Sequence, residues 1–237
     1  MRLTIITPTK NAEQFVTQLI NALNKQTNKN FEWLVVDGGS DDQTKSIIHK
    51  TAQFQYKIID AKDFSIYHAT NIAVENVETE YYAVSGADDH FFPNFVESFY
   101  AHVNKSNFDI LFGATVSGSE KVFPGRKLGW LNGMHGIGSS HSIGSIIKTD
   151  LHYTYGMYSK MYPVVADQFF IKNCVYGGAK VTRTDEVFGH YSLTGFSSTN
   201  ALHYQLDFFK MQLHTERYKV FQFLIFTARL IKLFLKR

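Results

Sequence analysis

Short apolar runs rich in β-branched residues alternate with amphipathic segments through the first half of the chain, and this alternation constrains the fold most. The runs are predicted strands, because β-branched residues favour extended structure. The segments between them place apolar residues three or four positions apart, as helices do. This order is typical of βαβ units, whose strands are parallel and form one sheet. The sequence therefore predicts an α/β fold with a mostly parallel central sheet flanked by helices.

The predicted elements continue to the end of the chain. The predicted strands are residues 3–7, 31–36, 55–59, 81–85, 109–116, 142–148 and 179–184. The predicted helices are residues 12–25, 40–49 with Ser40 and Asp41 as N-caps, 66–77, a helix with Pro93 in its first turn, a helix beginning near Asp167, and a C-terminal stretch from about Asn200.

Glycine is concentrated in one segment. Six of the chain's 16 glycines lie between Gly125 and Gly144, together with Trp130. Because glycine adopts backbone conformations that other residues avoid, this segment is predicted to be a mobile lid or acceptor loop. The change in composition also suggests a boundary at residue 124.

Charge is distributed unevenly along the chain. There are 24 Lys and Arg residues against 21 Asp and Glu, but the last acidic residue is Glu216, and residues 217–237 carry six basic ones. A nucleic-acid-binding domain spreads its basic residues over the face that meets phosphates. We therefore expect no nucleic-acid partner, and a separate role for the basic tail.

Three features indicate the compartment. The single cysteine, Cys174, excludes an intramolecular disulfide, and the first eight residues contain too short an apolar run for a signal peptide. No stretch reaches the roughly 20 apolar residues that are needed to cross a bilayer. We expect a cytoplasmic protein.

Asp37 follows a predicted strand directly and precedes two glycines and Ser40. In open α/β sheets ligands bind beyond the carboxyl ends of the strands, so Asp37 lies where a nucleotide could meet it. Its carboxylate would accept hydrogen bonds from a base N–H or a ribose hydroxyl. On spacing alone, a plain turn before a helix explains these residues equally well. Neither common glycine-rich phosphate motif is present.

Asp88 and Asp89 follow another predicted strand. Two adjacent carboxylates repel each other, and a hard divalent cation makes their proximity favourable. Mg²⁺ and Mn²⁺ accept one or two protein carboxylates and complete their coordination with water and substrate phosphates. This arrangement suits a diphosphate leaving group. The alternative is an acidic pair on a solvated turn before Pro93.

Several short runs together resemble the motifs of family 2 glycosyltransferases with the GT-A fold. They extend over roughly residues 3–200 in the family's order: Ile5-Ile6-Thr7-Pro8-Thr9-Lys10-Asn11, Asp37-Gly38-Gly39-Ser40-Asp41, Asp63 to Asn71, Gly86 to Asp89, Ser140-His141-Ser142-Ile143-Gly144, Val165-Ala166-Asp167-Gln168-Phe169 and Leu193-Thr194-Gly195-Phe196-Ser197. Each run is weak alone, and their order and spacing make the set specific. The resemblance is closest to bacterial enzymes that build capsule, exopolysaccharide and O-antigen.

The resemblance implies a Rossmann-like GT-A domain with an amphipathic helical tail. Residues 1–124 would form its nucleotide-sugar-binding half, residues 125–199 its acceptor-binding and catalytic half, and residues 200–237 the tail. The implied nucleotide-binding residues are Thr7, Pro8, Thr9, Asn11, Asp37, Asp63, Asn71 and Asp88. The implied contacts to donor or acceptor are Tyr67, His68, Trp130 and His141, of which His141 would meet donor phosphate, metal or acceptor.

The resemblance also implies a D-x-D-type site for Mn²⁺ or Mg²⁺ at Asp88 and Asp89, with Asp89 favoured as the direct ligand. The chain departs from the family pattern at the motif's first acid, which is Gly86, at His68, which replaces an Asp, and at Ser65 and Ile72, which replace a Gly and a Lys.

Family 2 enzymes resemble one another in inverting the anomeric centre, which takes one displacement and one general base. The acceptor hydroxyl is too weak an acid to lose its proton unaided at neutral pH. The resemblance implies Asp167 as this base, and its predicted position at a helix N-terminus favours the ionised carboxylate. Without the resemblance, an ordinary first-turn acid would be the simpler interpretation.

The tail places Arg229, Lys232 and Lys236 on one helical face. Such a helix is typical of the interface with an anionic membrane, although docking on the protein or in a homo-oligomer is the alternative. The expected partners are therefore a nucleoside-diphosphate sugar, with UDP the commonest nucleotide in similar enzymes, a carbohydrate acceptor on a polyprenyl diphosphate, and the inner face of the cell membrane.

Two other functions remain open from sequence. A dinucleotide-dependent oxidoreductase would share the parallel sheet, but its glycine fingerprint is absent after the first strand. A non-catalytic relative that binds a nucleotide sugar would keep Asp37. The presence of Asp88, Asp89 and Asp167 together argues against it.

Overall fold

The structure is a computed structural model, and it describes residues 3–61, 65–192 and 201–235, without the side chain of Phe234. Its strands are β1 (Leu3–Thr9), β2 (Phe31–Asp37), β3 (Tyr56–Asp60), β4 (Tyr81–Val84), β5 (His90–Phe91), β6 (Ile110–Ser117), β7 (Glu120–Val122), β8 (Ser145–Lys148) and β9 (Val181–Tyr191). Its helices are α1 (Val16–Asn24), α2 (Thr44–Thr51), α3 (Ile66–Glu75), α4 (Phe95–Val103), α5 (Gly129–Asn132), α6 (Met134–Ile137), α7 (Leu151–Tyr155), α8 (Ala166–Tyr176), α9 (Ala201–Thr215) and α10 (Lys219–Leu235).

The strands form one mixed sheet in the order β3-β2-β1-β4-β8-β6-β9-β5, with β7 beside β6. Strands β3, β2, β1 and β4 are mutually parallel, as are β6 and β9. Strand β8 is antiparallel to both β4 and β6. The predicted α/β fold with a mostly parallel sheet is confirmed. The short strands β5 and β7 and the helix α7 were not predicted.

The carboxyl ends of β1, β2 and β4 meet at one edge of the sheet. Thr9 at the end of β1 is in register with Asp37 at the end of β2, and Ile6 is in register with Val84 at the end of β4. The turns that follow β2 and β4 therefore start from the same edge.

Each face of the sheet carries its own apolar core. One core contains the buried side of α3, α6 and α8 together with Phe208 and Met211 of α9. The other contains the buried sides of α1 and α4, with Ile48 of α2. Burial on both faces explains the continuous apolar runs of β1 and β2.

Helix α2 begins later than predicted. Its N-cap is Gln43, without a side-chain capping bond. The prediction of Ser40 and Asp41 as N-caps is wrong, because the Ser40 hydroxyl donates to Asp37 Oδ2 at 2.6 Å. The preceding loop uses Ser40 to close its own turn.

The glycine-rich segment contains the two short helices α5 and α6. A Cβ at Gly125 would lie 2.0 Å from the His135 carbonyl oxygen. The amide of Gly125 donates to the Gly138 carbonyl at 2.8 Å, and Arg183 Nε donates to the Gly125 carbonyl at 2.9 Å. These glycines therefore allow close backbone packing, a role that the prediction of a mobile loop did not include.

Helices α9 and α10 form a C-terminal hairpin that contacts the glycine-rich segment. Gln212 of α9 and Gln222 of α10 both donate to the Trp130 carbonyl at 2.9 Å. Arg229 donates to the Leu131 carbonyl at 2.8 Å and lies 4.4 Å from the centre of the Phe208 ring. The hairpin is therefore joined to the main domain by polar as well as apolar contacts. None of the helices in the described ranges is long and apolar enough to span a bilayer.

Candidate active site

A cavity of about 410 Å³ opens at the carboxyl edge of the sheet. Its lining comes from the ends of β4 and β8 on the sheet and from α3 and α8 above it. Asp88, Asp89 and Asp167, which come from separate sequence motifs, all line this cavity. The structure thus brings the predicted metal-binding acids and the predicted base into one space.

The acidic turn after β4 gives its two carboxylates different environments. Asp89 is buried, and its oxygens accept hydrogen bonds from the amides of Gly86 at 2.9 Å and Ser192 at 3.1 Å. Burial raises the pKa of Asp89 to about 7, and the backbone hydrogen bond from Gly86 partly opposes that shift. Asp88 is half-buried and has no hydrogen-bond partner among the described residues. Asp89 therefore holds the turn against the end of β9, while no described residue bonds the Asp88 carboxylate.

His141 lies beside this turn on the segment that leads into β8. Its ring stacks on Tyr191, with 4.3 Å between centroids and 5° between planes. Burial lowers the pKa of His141 to about 4, against the attraction of Asp167 and Asp88, so the ring is neutral near pH 7. Because the Ile143 amide donates to Nδ1 at 3.4 Å, the proton belongs on Nε2. His141 is thus a neutral N–H donor, and its 3.9 Å approach to Asp89 is not an ion pair.

Asp167 lies in the first turn of α8, where the helix dipole favours an anion. The Tyr67 hydroxyl donates to Asp167 Oδ1 at 2.6 Å and is also 2.9 Å from the Val164 carbonyl oxygen. Burial raises the pKa of Asp167, and the hydrogen bond from Tyr67 opposes that shift. A raised pKa makes a carboxylate a stronger base, which suits it to accept a proton.

Asp37 is fully buried and makes its hydrogen bonds within its own loop. Its Oδ1 accepts from the amides of Gly39 at 3.1 Å and Ser40 at 2.8 Å, and its Oδ2 accepts from the Ser40 hydroxyl. Asp37 lies at the same sheet edge as the cavity but does not line it. Its structural role is to close the turn between β2 and α2.

The family model of "Glycosyl transferase family 2" matches residues 4–162, about two thirds of the chain. The chain belongs to this family. The oxidoreductase alternative is therefore set aside, and the predicted family is confirmed.

This glycosyltransferase is similar to bacterial enzymes of surface polymers. It is 36% identical over 92 residues to a teichoic acid poly(glycerol phosphate) polymerase of Staphylococcus epidermidis, which is 37% of this chain and 13% of that protein. It is 28% identical over 116 residues to the poly(ribitol-phosphate) beta-N-acetylglucosaminyltransferase TarS of Staphylococcus aureus, which is 47% of this chain and 20% of that protein. The matches thus span a fifth or less of these relatives.

Solved structures share the fold of this glycosyltransferase at low sequence identity. S. aureus TarS 1–349 in complex with UDP is 20% identical, with a TM-score of 0.66, over 97% of this chain and 71% of that chain. The mannosyltransferase PcManGT from Pyrobaculum calidifontis, in complex with GDP-Man and Mn²⁺, is 14% identical, with a TM-score of 0.71, over 96% of this chain and 68% of that chain. The predicted GT-A fold is confirmed.

The acidic turn of the glycosyltransferase fits a hard divalent cation. A Cβ at Gly86 would lie 2.6 Å from Asp88 Oδ1 and 3.3 Å from Asp89 Oδ2, so glycine leaves room for both carboxylates. The described residues contain no ready-made cluster of three ligating side chains. Mg²⁺ and Mn²⁺ need none, since one or two carboxylates and substrate phosphates suffice. The free carboxylate favours Asp88 over Asp89 as the direct ligand, which differs from the preference implied by the motif.

Four predicted nucleotide-binding residues lie in β1 or just after it, and one of them lines the cavity. Pro8 lines the cavity. Thr7 does not, and its hydroxyl accepts from Trp33 Nε1 at 2.9 Å. Thr9 is buried, and its hydroxyl has no partner among the described residues. Asn11 has a positive φ of 50° and accepts from the Asp41 amide at 3.1 Å, which links the loops after β1 and β2.

Of the other predicted contacts, Tyr67 and His141 line the cavity, whereas Asn71, His68 and Trp130 do not. The Asn71 side chain donates to the Tyr158 carbonyl and accepts from the Tyr158 amide, both at 2.9 Å. His68 is half-buried on α3, and Trp130 on α5 is 39% exposed. Asp63 lies outside the described residues, as does the predicted motif at residues 193–197. Apart from Tyr67 and His141, none of these positions has therefore gained structural support as a ligand contact.

Sequence reasoning missed several residues of the cavity lining. Tyr158, Tyr191 and Tyr204 come from three separate segments, and Ser145 lies on β8. Alternation along a strand could have assigned Ser145 and Ile147 to one face. No pattern in the sequence would have assigned the tyrosines, because tertiary contacts alone bring them together.

Proposed function

We propose that this glycosyltransferase transfers a sugar from a nucleoside-diphosphate sugar, with UDP as the favoured nucleotide, to a hydroxyl of a carbohydrate acceptor, and inverts the anomeric centre. The observation that carries the proposal is the cavity that Asp88 and Asp167 share: Asp88 is bonded by no described residue, and Asp167 is a buried carboxylate with a raised pKa. Structures of similar fold with bound UDP, UDP-GlcNAc and GDP-Man are consistent with such a donor.

Asp167 is proposed as the general base. In a single inverting displacement the acceptor hydroxyl attacks the anomeric carbon as the bond to the diphosphate breaks, and its proton must pass to a nearby base. Asp167 is the buried acid that α8 contributes to the cavity lining. The bond from Tyr67 holds Asp167 Oδ1, which leaves Oδ2 for the acceptor.

Asp88 is proposed as the direct ligand of Mn²⁺ or Mg²⁺, with Asp89 fixing the turn that carries it. When bound, the ion neutralises the charge that develops on the leaving diphosphate. Of the described residues that line the cavity, none is Lys or Arg. His141 adds one neutral donor, Nε2–H, for a diphosphate oxygen.

In this proposal Asp37 does not bind the nucleotide directly. It fixes the loop between β2 and α2, and that loop shapes the nucleotide site. A direct hydrogen bond from a nucleotide base N–H to Asp37, as the motif implies, would need access to a carboxylate that is fully buried and already accepts bonds from Gly39 and Ser40. Asn11 supports the same loop from β1.

The biological role proposed is synthesis of a bacterial surface polymer on a lipid-linked acceptor. The similar TarS and teichoic acid polymerase, named for surface polymers, support the polymer class. Five exposed apolar residues of α10, defined here as the α10 face, support contact with the inner membrane surface: Val220, Phe221, Leu224, Ile231 and Leu235. Lys219 and Lys232 add positive charge to the same helix. Arg229 does not belong to this basic surface, because it binds the Leu131 carbonyl.

Two measurements on the unchanged protein and on two variants test the proposal. The first is thermal unfolding with UDP, GDP or dTDP, each with and without Mn²⁺. The second is the rate of sugar transfer. A ligand at 100 times its Kd stabilises the folded state by about 2.7 kcal/mol. Asp88→Asn should lose the part of the stabilisation that depends on Mn²⁺. Asp167→Asn should keep that stabilisation and lose sugar transfer by about a thousandfold.

Asp150→Asn is the matched control, because Asp150 is an exposed carboxylate that makes no capping bond at α7. It should behave as the unchanged protein in both assays. Full transfer by Asp167→Asn would disprove the base, and stabilisation by no nucleoside diphosphate would disprove the proposed donor. Nucleotide binding without any transfer would favour the non-catalytic alternative.

A further inference from the structure

One face of α9 contacts the stretch of chain that leads into α8. Residues 204, 207, 210 and 214 lie on this face, because they recur every three or four positions along the helix. They make hydrogen bonds to residues 161–168, called here the base-bearing segment because it contains Asp167. The pairs are Lys210 with Met161 at 3.0 Å, His214 with Tyr162 at 2.7 Å, Asp207 with Val164 at 2.8 Å, and Tyr204 with Gln168 at 3.4 Å. The hairpin therefore holds this segment along its length.

Asp207 holds the backbone immediately before α8. Its Oδ2 accepts from the amide of Val164, and the next residue, Val165, is the N-cap of the helix. The side chain of Val165 is a hydrocarbon, so it cannot cap α8 itself. A carboxylate near a helix N-terminus is favourable, because the helix dipole attracts an anion there. The hairpin thus brings to this end of α8 a group that a capping residue would otherwise supply locally.

Val164 is held from two sides. Asp207 binds its amide, and the Tyr67 hydroxyl lies 2.9 Å from its carbonyl oxygen and 2.6 Å from Asp167 Oδ1. Val164 is buried and lines the cavity, whereas Asp207 does not line it. Asp207 is therefore connected to the proposed base through the backbone of Val164 and the side chain of Tyr67, and its carboxylate does not face the substrate.

We propose that Asp207 is a positioning residue for Asp167, and that α9 is thereby part of the machinery for sugar transfer. The inference rests on the proposed function and extends it to the hairpin, which lies outside the segment that the family model matches. A base must be held within reach of the attacking hydroxyl, and a displacement of about 1 Å can cost roughly a hundredfold in rate. Release of Val164 would shift Asp167 and leave the acidic turn after β4 unchanged.

A kinetic test compares Asp207→Ala with Asp207→Asn. Alanine removes the acceptor of the Val164 hydrogen bond, whereas the amide oxygen of asparagine can still accept it. The donors are UDP-glucose, UDP-N-acetylglucosamine and GDP-mannose with Mn²⁺, water takes the place of the acceptor, and the release of nucleoside diphosphate is measured. Asp207→Ala should lower kcat by about tenfold and leave KM for the donor unchanged. Asp207→Asn should retain most of the rate.

Hydrogen exchange followed by mass spectrometry gives a second readout that needs no substrate. Asp207→Ala should speed the exchange of amides in residues 164–171, because the start of α8 opens more often, and Asp207→Asn should not. Leu206→Ala is the matched control for both measurements. It introduces the same residue at the neighbouring position of α9, where the Leu206 side chain is 46% exposed. It should behave as the unchanged protein does.

The outcomes separate this inference from the proposed function. If the unchanged protein binds no nucleoside diphosphate, the proposed function fails and the inference fails with it. If it binds one but turns over none of the three donors, hydrogen exchange decides the inference.

The inference alone is wrong if a donor is turned over and Asp207→Ala keeps its kcat, or if Asp207→Asn loses as much rate as Asp207→Ala. It is also wrong if exchange in residues 164–171 is unchanged. An Asp207→Ala variant that does not fold, or that loses donor binding together with turnover, would show that the contact holds the hairpin in place and does not position the base.

Discussion

At the scale of single residues, the hydrogen bonds that a side chain already makes to its neighbours determine what it can still do in the cavity. Tyr67 illustrates this. It was expected to contact donor or acceptor, but its hydroxyl donates to Asp167 and lies near the Val164 carbonyl. Tyr67 is therefore a positioning residue for the proposed base. The backbone hydrogen bond from Gln168 and the neighbouring His141 also oppose the raised pKa of Asp167.

Tyr67→Phe should move the acidic limb of the pH–activity profile to higher pH. A hydrogen bond donated to an ionised carboxylate lowers its pKa, so its removal raises the pKa of Asp167 further. Asp167 must be ionised to accept a proton, and activity is then lost at a higher pH as the solution is acidified. The measurement is kcat/KM against pH.

Tyr153→Phe removes a hydroxyl from a residue that is 89% exposed and should leave the profile unchanged. A Tyr67→Phe variant that lowers activity equally at every pH would indicate a purely structural role for Tyr67 and would contradict this prediction.

At the scale of secondary-structure elements, a buried polar cluster joins α8 to the C-terminal hairpin. Lys172 of α8 is fully buried, and its Nζ lies 2.5 Å from Glu216 Oε1 and also donates to Gln212. Tyr176 donates to the same Glu216 oxygen at 2.8 Å. Burial lowers the pKa of Lys172, and Glu216 opposes that shift. The hairpin thus supplies the countercharge for a lysine on the helix that carries Asp167.

Glu216→Ala should destabilise the fold by about 3 kcal/mol, because it leaves a buried ammonium group without its partner. Lys172→Met should cost much less, because an apolar side chain of similar length replaces the charge and needs no partner. Chemical denaturation of both variants gives the comparison. Equal effects of the two substitutions would show that packing, and not the unpaired charge, determines the loss.

At the scale of the whole molecule, the parallel sheet brings together residues that are far apart in the chain. Asp88 and Asp167 are separated by 78 other residues, yet they line one cavity, because β4 ends at the edge over which α8 begins. The hairpin lies outside the matched family segment and still contributes Tyr204 to the cavity. The α10 face lies on the outside of the hairpin and is exposed, so a membrane or a second molecule can contact it.

Leu224→Glu combined with Ile231→Glu should reduce co-sedimentation with vesicles that contain anionic phosphatidylglycerol. Both side chains are more than half exposed, so the substitutions remove apolar contact and add repulsion without disturbing the core. Tyr153→Glu, an exposed substitution elsewhere, is the control and should sediment as the unchanged protein does.

Unchanged sedimentation of the double variant would contradict membrane contact through the α10 face. If the double variant instead converts an oligomer into a monomer in light scattering, a second copy of the chain, and not lipid, is the partner of that face.

The sequence by itself determined the principal strands and helices of the first half of the chain, the mostly parallel sheet, and the placement of Asp37, Asp88 and Asp89 at or just after the ends of strands. These properties depend on residues near one another in the chain, whose β-branching, periodicity and strand-end positions are local signals. The prediction of Asp167 near the start of a helix was local in the same way.

Only the tertiary structure decided which of these side chains are free to act. Asp37 and Asp88 both follow strands, yet one is bound by its own loop and the other has no partner among the described residues. Ser145 and Gln168 come to line one cavity only because β8 and α8 enclose it, and Arg229 turns from the predicted basic surface toward the Leu131 carbonyl. Burial and hydrogen-bond partners arise from segments distant in sequence, and short-range patterns carry no information about them.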